Sequence, residues 1–95
     1  MNNYELALIL KPSLGENEVT KFLATLEKEI VDKYKGKVEN REDWGMRKLS
    51  YIIEGASDGS YSFIKLSLPV ESVKEFENKF RLKAGLLRYL FAKAE

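Results

Sequence analysis

The stretch Tyr4–Leu10, YELALIL, alternates leucine with other residues, as a β-strand with one buried face does. Side chains of successive strand residues point to opposite sides. Leu6, Leu8 and Leu10 would face one side, and Glu5, Ala7 and Ile9 would face the other. Lys11-Pro12 follows and ends the strand, because proline has no N–H for the ladder. The pattern predicts a sheet that is buried on one face.

A helix is predicted directly after this strand. Ser13-x-x-Glu16 resembles a capping box. Apolar residues then recur at helical spacing and form a single stripe: Val19, Phe22, Leu23, Leu26, Ile30 and Tyr34. The helix is expected to end at Gly36, because glycine is common just after the last residue of a helix. Truncating any of the central stripe residues should open a cavity in the core.

Two strands and a second helix complete the first pass along the chain. The segment from Lys37 to about Ile53 is interpreted as extended, and Gly55–Gly59, GASDG, as a turn. Tyr61–Leu68, YSFIKLSL, alternates again, with Ile64, Leu66 and Leu68 inward and Tyr61, Phe63, Lys65 and Ser67 outward. The second helix is marked by Val73, Phe76 and Phe80, and it ends before Gly85.

The last strand is LLRYLFA, which begins at Leu86. The element order is therefore β-α-β-β-α-β, which predicts an α+β, ferredoxin-like fold for residues 1–95 as a single domain. Its four-stranded antiparallel sheet would have both helices packed on one face. The other face would carry Tyr61 and Phe63.

Composition argues against an enzyme. The 95 residues include no cysteine and no histidine, so the commonest general base and the commonest metal ligands are missing. We expect no catalytic residue, cofactor, metal or small-molecule substrate. No apolar run approaches the roughly 18 residues that span a membrane, and no membrane partner is expected.

The formal charge of the chain is +1. Residues 1–46 hold seven Lys/Arg and nine Asp/Glu, which gives −2, and residues 47–95 hold nine and six, which gives +3. This mild asymmetry permits a nucleic-acid partner without requiring one.

The stretch Ser60–Leu66, SYSFIKL, partly matches the aromatic strand of RNA-recognition motifs. Tyr61 and Phe63 occupy its first two aromatic positions, but the leading basic residue is absent. Outward aromatic residues can stack on bases. They can also be there for strand propensity, or to cover a protein contact.

The stretch Glu42–Tyr51, EDWGMRKLSY, places a glycine inside a predicted strand, where it typically marks a bulge or bend. If the pleat is regular, Trp44 and Met46 share one face, and Arg47 and Lys48 point to opposite sides. The cations could discourage pairing at a strand edge. Alternatively, the bent strand could offer an aromatic contact and aim one cation at a phosphate; spacing alone leaves both open.

The segment Gly45–Ile53, GMRKLSYII, resembles a family signature, Gly-x-basic-polar-Leu-Ser/Ala-Tyr-x-Ile. The family is the bacterial small-subunit (30S) ribosomal protein S-six. The opening YELALILKPSL and the final LLRYLFAK are similar to the first and last strands of that family. The likeness covers nearly the whole chain.

The resemblance implies a non-catalytic scaffold protein of the small ribosomal subunit, bacterial or organellar in type and cytoplasmic. It implies pairing with ribosomal protein S-eighteen and binding to the central domain of small-subunit ribosomal RNA, in the platform. Positions carried over as RNA-side candidates are Tyr4, Arg47, Lys48, Arg88 and Lys93. Candidates for the partner or the RNA are Trp44, Met46, Tyr61 and Phe63. The alternatives are a free-standing single-stranded RNA-binding module and, from a third class, a regulator that binds a small ligand.

Overall fold

A four-stranded antiparallel sheet forms the framework of the protein in the computed structural model, which describes residues 1–94. The elements in chain order are β1 (Asn2–Leu10), α1 (Glu16–Lys28), β2 (Lys37–Ile53), β3 (Ala56–Leu68), α2 (Val73–Phe80) and β4 (Leu86–Lys93). The strands lie side by side in the order β2-β3-β1-β4, and every neighbouring pair is antiparallel. This confirms the predicted α+β, ferredoxin-like fold.

The core lies between one face of the sheet and the two helices. The leucines of β1 and the predicted stripe of α1 meet there, together with Phe76 and Phe80 of α2. Members of the cluster that are almost fully buried include Leu8, Leu26, Ile30, Leu66 and Phe76. The strand and helix patterns in the sequence were therefore interpreted correctly, because the residues that they place on one face are the residues that are buried.

The start of α1 differs from the predicted capping box at Ser13-x-x-Glu16. The helix begins at Glu16, and its N-cap residue is Gly15. The Gly15 backbone N–H donates to a Glu18 side-chain oxygen at 3.2 Å. The predicted start of the helix was therefore wrong by two residues. Glu18, and not Glu16, accepts the hydrogen bond from the backbone N–H of the N-cap residue.

The chain passes very close to β3 just after the end of the first helix. After Lys28 the chain continues as a π-helical turn, Glu29–Lys33, and then reaches Gly36. A Cβ atom at Gly36 would lie 2.4 Å from the Ser67 carbonyl oxygen, which no side chain tolerates. Glycine at this position therefore permits the helix end to pass close to the sheet.

The β2–β3 hairpin turns at only two residues, Glu54 and Gly55, with φ of 47° and 82°. Two consecutive residues with positive φ are typical of the type I′ turn, whose twist matches that of the strands. The predicted turn, Gly55–Gly59, was therefore wrong at its C-terminal end, because β3 already begins at Ala56. Neither helix of the described part of the chain has the length and apolarity needed to cross a membrane.

Candidate nucleic-acid and partner interface

The sheet face away from the helices carries three cross-strand rows of side chains, which we call the open face. Strand register defines each row from β2 through β3 and β1 to β4. The first row is Asn40, Lys65, Glu5 and Ala92; the middle row is Glu42, Phe63, Ala7 and Leu90; the third row is Gly45, Tyr61, Ile9 and Arg88. The predicted outward positions of Tyr61 and Phe63 are thus confirmed.

A bulge in β2 decides which side chains join this face. Asp43 lies opposite Ser62 and Gly45 lies opposite Tyr61, so Trp44 is an extra residue without a partner of its own on β3. Gly45 has φ of +74°, which glycine adopts at little cost. The bulge bends the edge strand at the glycine singled out in the sequence.

The bulge separates Trp44 from Met46. Trp44 lies on the open face, where its ring centroid is 4.7 Å from that of Phe63. Met46 lies opposite the buried Ser60 on the helix side, beside Leu14 and Val19. The expectation that Trp44 and Met46 share one face was wrong, because one extra residue reverses the alternation of the strand that follows.

The middle row is apolar and partly open to solvent. Leu90 is 68% exposed and Trp44 is 48% exposed. The Trp44 indole N–H donates to a Glu42 carboxylate oxygen at 3.4 Å. Two hollows of about 240 and 250 Å³ flank this row, and both are lined by Ala7, Phe63 and Leu90. Each hollow has room for an apolar side chain of a partner.

Charge is distributed unevenly along the open face. Glu5 and Glu42 line the hollow on the side of the first row, where Lys65 pairs in register with Glu5. Arg88 lines the other hollow, and Arg47 lies on the open face one position beyond the third row, opposite Gly59. The ion pairs formed within residues 1–94 involve only the cations Arg41 and Lys83. Arg47 and Arg88 are thus available for an anionic ligand at one end of this face.

The remaining RNA-side candidates lie elsewhere. Lys48 is opposite Asp58 and Lys93 is opposite Tyr4, so both point to the helix side of the sheet, near its two ends. Tyr4 is only 7% exposed and stacks on Phe91, with ring centroids 5.0 Å apart. The five candidates therefore do not form one site: Arg47 and Arg88 are brought to the same face, and Tyr4 is a core residue.

Three side chains were missed among the candidates: Leu90 and Tyr51, which are exposed, and Ile9, which is half-buried. The alternation of YELALIL already placed Ile9 on the outward side. Leu90 could have been found in the same way, because Tyr89 and Phe91 on either side of it pack toward the phenylalanines of α2. Tyr51 is 65% exposed and lies inside the family signature. Its exposure could not be inferred from the sequence, because it depends on the irregular register between β2 and β3.

Two features of the titratable side chains of residues 1–94 bear on function: their clustering and their pKa values. Within the described residues, no group of three His, Cys, Asp or Glu side chains could hold a metal ion. Burial raises the pKa of the Tyr89 hydroxyl, and its 3.1 Å hydrogen bond to a Glu77 carboxylate oxygen raises it further. This contact ties β4 to α2 on the helix side, away from the open face.

Comparison with known proteins identifies the family. A sequence model described as ribosomal protein S6 matches residues 3–93. The small ribosomal subunit protein bS6 of Clostridium novyi is 39% identical over 95 residues, or 100% of this chain and 99% of that protein. The bS6 protein of Geotalea daltonii is 35% identical and covers 100% of this chain and 73% of its own length.

The fold agrees with the same family. The crystal structure of 30S ribosomal protein S6 from Thermotoga maritima has a TM-score of 0.91 at 28% identity and covers 98% of this chain and 87% of that one. The relatives are ribosomal proteins of the small subunit, so the protein is a structural component rather than an enzyme. The resemblance read from the sequence is confirmed, and the chain belongs to the ribosomal protein S6 family of the small ribosomal subunit.

Proposed function

We propose that this protein binds the central domain of small-subunit ribosomal RNA, in the platform, as a pair with ribosomal protein S-eighteen. Family membership makes it a protein of the small subunit. The observation that supports the finer proposal is the open face, where an exposed apolar row lies between an acidic end and an end with two arginines. Neither arginine takes part in an ion pair formed within residues 1–94.

The apolar row and its acidic end suit a basic protein partner. Leu90 and Trp44 leave apolar surface in water that a second protein would bury. Glu5 and Glu42 beside this row would attract lysine or arginine side chains of the partner. Apolar side chains entering the two hollows would supply most of the contact, and the carboxylates would orient it.

The arginine end suits ribosomal RNA, but it is too small to bind RNA tightly without help. Each neutralised phosphate contributes about 0.7 to 0.9 to the slope of log affinity against log salt. Arg47 and Arg88 would supply about two such contacts, and the formal charge of the whole chain is only +1. A basic partner seated beside them would extend the positive surface, so that RNA affinity depends on the pair.

A free-standing single-stranded RNA-binding module is favoured less. Such modules stack successive bases on open aromatic rings. Here Phe63 already packs against Trp44, and Tyr61 is the remaining ring of the predicted aromatic pair. On the open face, one available ring and two arginines make a poor platform for several bases.

Gel-shift titration of a central-domain ribosomal RNA transcript, at several salt concentrations with and without S-eighteen, tests the proposal. We expect weak binding alone and tight, salt-dependent binding by the pair. Replacing Arg47 and Arg88 together by alanine should lower the salt slope by about one unit per lost phosphate contact. A double variant of helix-surface cations, Lys28→Ala with Lys74→Ala, removes the same charge and should leave the slope unchanged.

Two outcomes would count against the pair. Tight binding by the protein alone would favour the free-standing module. Equal slopes for the two double variants would show that the arginine end of the open face makes no contribution of its own to RNA binding. Leu90→Asp should separately abolish S-eighteen binding while the protein stays folded, because the exposed Leu90 makes little contact with the core.

A further inference from the structure

The far end of β2 has no ladder partner over four residues. Lys48 lies opposite Asp58 and Ile53 lies opposite Ala56, so Leu49–Ile52 bulge away from β3 where the partner strand has only Ser57. Within this segment Tyr51 is 65% exposed and Ile52 is 70% exposed, whereas Ile53 is buried. The hairpin therefore presents Tyr51 to solvent at the distal end of the sheet.

Tyr51 differs from nearly all other aromatic side chains of the protein. The rings of Tyr4, Tyr34, Trp44, Phe63, Phe76, Phe80, Tyr89 and Phe91 each lie against another ring. Phe22 is covered by the Lys83 ammonium group, 6.0 Å from its centroid. In the described part of the chain, only Tyr51 and Tyr61 make no such contact, and Tyr61 is half-buried. Tyr51 thus has a ring face free for a ligand.

Two exposed cations precede this ring. Arg47 and Lys48 take part in none of the ion pairs formed within residues 1–94, and Arg47 only donates to the Met46 carbonyl oxygen at 3.3 Å. They point to opposite sides of β2, one toward the open face and one toward the helix side. A nucleic-acid strand that passes the hairpin on either side would meet a positive charge.

Acidic side chains of the hairpin cancel the positive charge of Arg47 and Lys48. Residues 47–58 contain Arg47, Lys48, Glu54 and Asp58, so their formal charges sum to zero. Binding at this end therefore needs a contribution that does not depend on net charge. Stacking of a base on an aromatic ring is one, and it tolerates any base because every base has a π-face.

We propose that Tyr51 is a base-stacking residue for an unpaired nucleotide of RNA, with Arg47 and Lys48 contacting the adjoining phosphates. The inference rests on the proposed binding of ribosomal RNA and extends the contact from Arg47, at the arginine end of the open face, to Lys48 and Tyr51 of the hairpin. An apolar protein contact explains the hairpin less well. The two exposed cations next to Tyr51 take part in none of the ion pairs formed within residues 1–94, and an apolar partner surface would leave them without a counter-charge.

The test compares four variants in RNA titrations, with a central-domain transcript as probe and S-eighteen present. Tyr51→Ala and Tyr51→Leu should each weaken binding by about 5- to 150-fold, whereas Tyr51→Phe should stay within about twofold of the wild type. Ile52→Ala is the matched control at an equally exposed position, and it should bind as the wild type does. The salt slope should be unchanged in all four, because none of them removes a charge.

The outcomes separate this inference from the function on which it rests. If the wild-type pair does not bind the transcript, the proposed function falls and takes the inference with it. If the wild type binds and Tyr51→Leu binds equally well, an aromatic ring is not required and only the inference falls. Weaker S-eighteen binding by Tyr51→Ala in the absence of RNA would likewise overturn it and make Tyr51 a protein contact. Thermal melts check that each variant is folded.

Discussion

Replacing Gly45 tests whether backbone conformation alone holds the bulge in β2. The residue has φ of +74°, and a Cβ atom built there would have no neighbour within 4 Å. Gly45→Ala and Gly45→Val therefore introduce no steric clash with other residues. Whatever stability they cost arises from forcing an L-residue into the left-handed region.

The size of the effect follows from that geometry. A left-handed conformation costs an L-residue roughly 1–2 kcal/mol, and we expect Gly45→Ala to lose this much free energy of unfolding. The β-branched side chain of valine fits the region less well, so we expect about 1–3 kcal/mol for Gly45→Val. If the strand instead escaped the strain by losing its bulge, Met46 would turn to the open face and displace Arg47 from it. Loss of the bulge should also weaken binding of S-eighteen, because it changes which side chains lie on the open face.

Urea unfolding, monitored by the fluorescence of Trp44, measures the free energy of unfolding. A pull-down assay with S-eighteen measures partner binding. Ser57→Val serves as the control, since it places valine at an exposed position of the same hairpin whose φ is not positive. Gly45→Asn should fall between alanine and wild type, because asparagine tolerates the left-handed region. An unchanged midpoint for Gly45→Val, together with unchanged S-eighteen binding, would refute the reasoning.

Three further measurements test the helix side of the sheet. Leu26 is fully buried in the core, so Leu26→Ala should lower the free energy of unfolding by about 2–5 kcal/mol in urea titrations, and no change would mean that the face assigned to α1 is wrong. Gly36→Ala should lower the melting temperature, because its Cβ would lie 2.4 Å from the Ser67 carbonyl oxygen; a normal melting temperature would show that the helix end shifts freely. The raised pKa of Tyr89 contributes stability that is fully present below the ordinary value of 10.0 and is lost as pH rises through the folded value. Tyr89→Phe should therefore lose less stability than the wild type as the pH rises above the ordinary value of 10.0, as thermal melts at increasing alkaline pH would show.

Regular elements were predictable because their burial follows a simple period. Alternation assigned the two faces of β1 and of the second half of β3, and one helical stripe located Leu23, Leu26 and Ile30 in the core. In these elements the backbone repeats regularly, every two residues in a strand and about every 3.6 in a helix, so spacing along the sequence determines which way a side chain points.

Irregular positions were not predictable in the same way. The glycine at position 45 signalled a bulge, but whether Trp44 or another residue is the extra one depends on the register with β3. The same holds for Tyr51, whose exposure results from an unpaired segment opposite Ser57. Tyr4 shows that a resemblance can also mislead. The resemblance made Tyr4 an RNA-binding candidate, but its ring packs against Phe91 in the core.

The strand order has a consequence for the time course of synthesis. β1 leaves the ribosome first, yet it occupies an interior position of the sheet between β3 and β4, the strands made last. A nascent chain that ends before β3 therefore exposes both edges of an apolar strand with nothing to pair it. The β2–β3 hairpin, by contrast, closes through a two-residue turn and can form as soon as it emerges. We therefore expect the hairpin to be present before the sheet, and the N-terminal strand to be inserted only when the C-terminal half of the chain has been made.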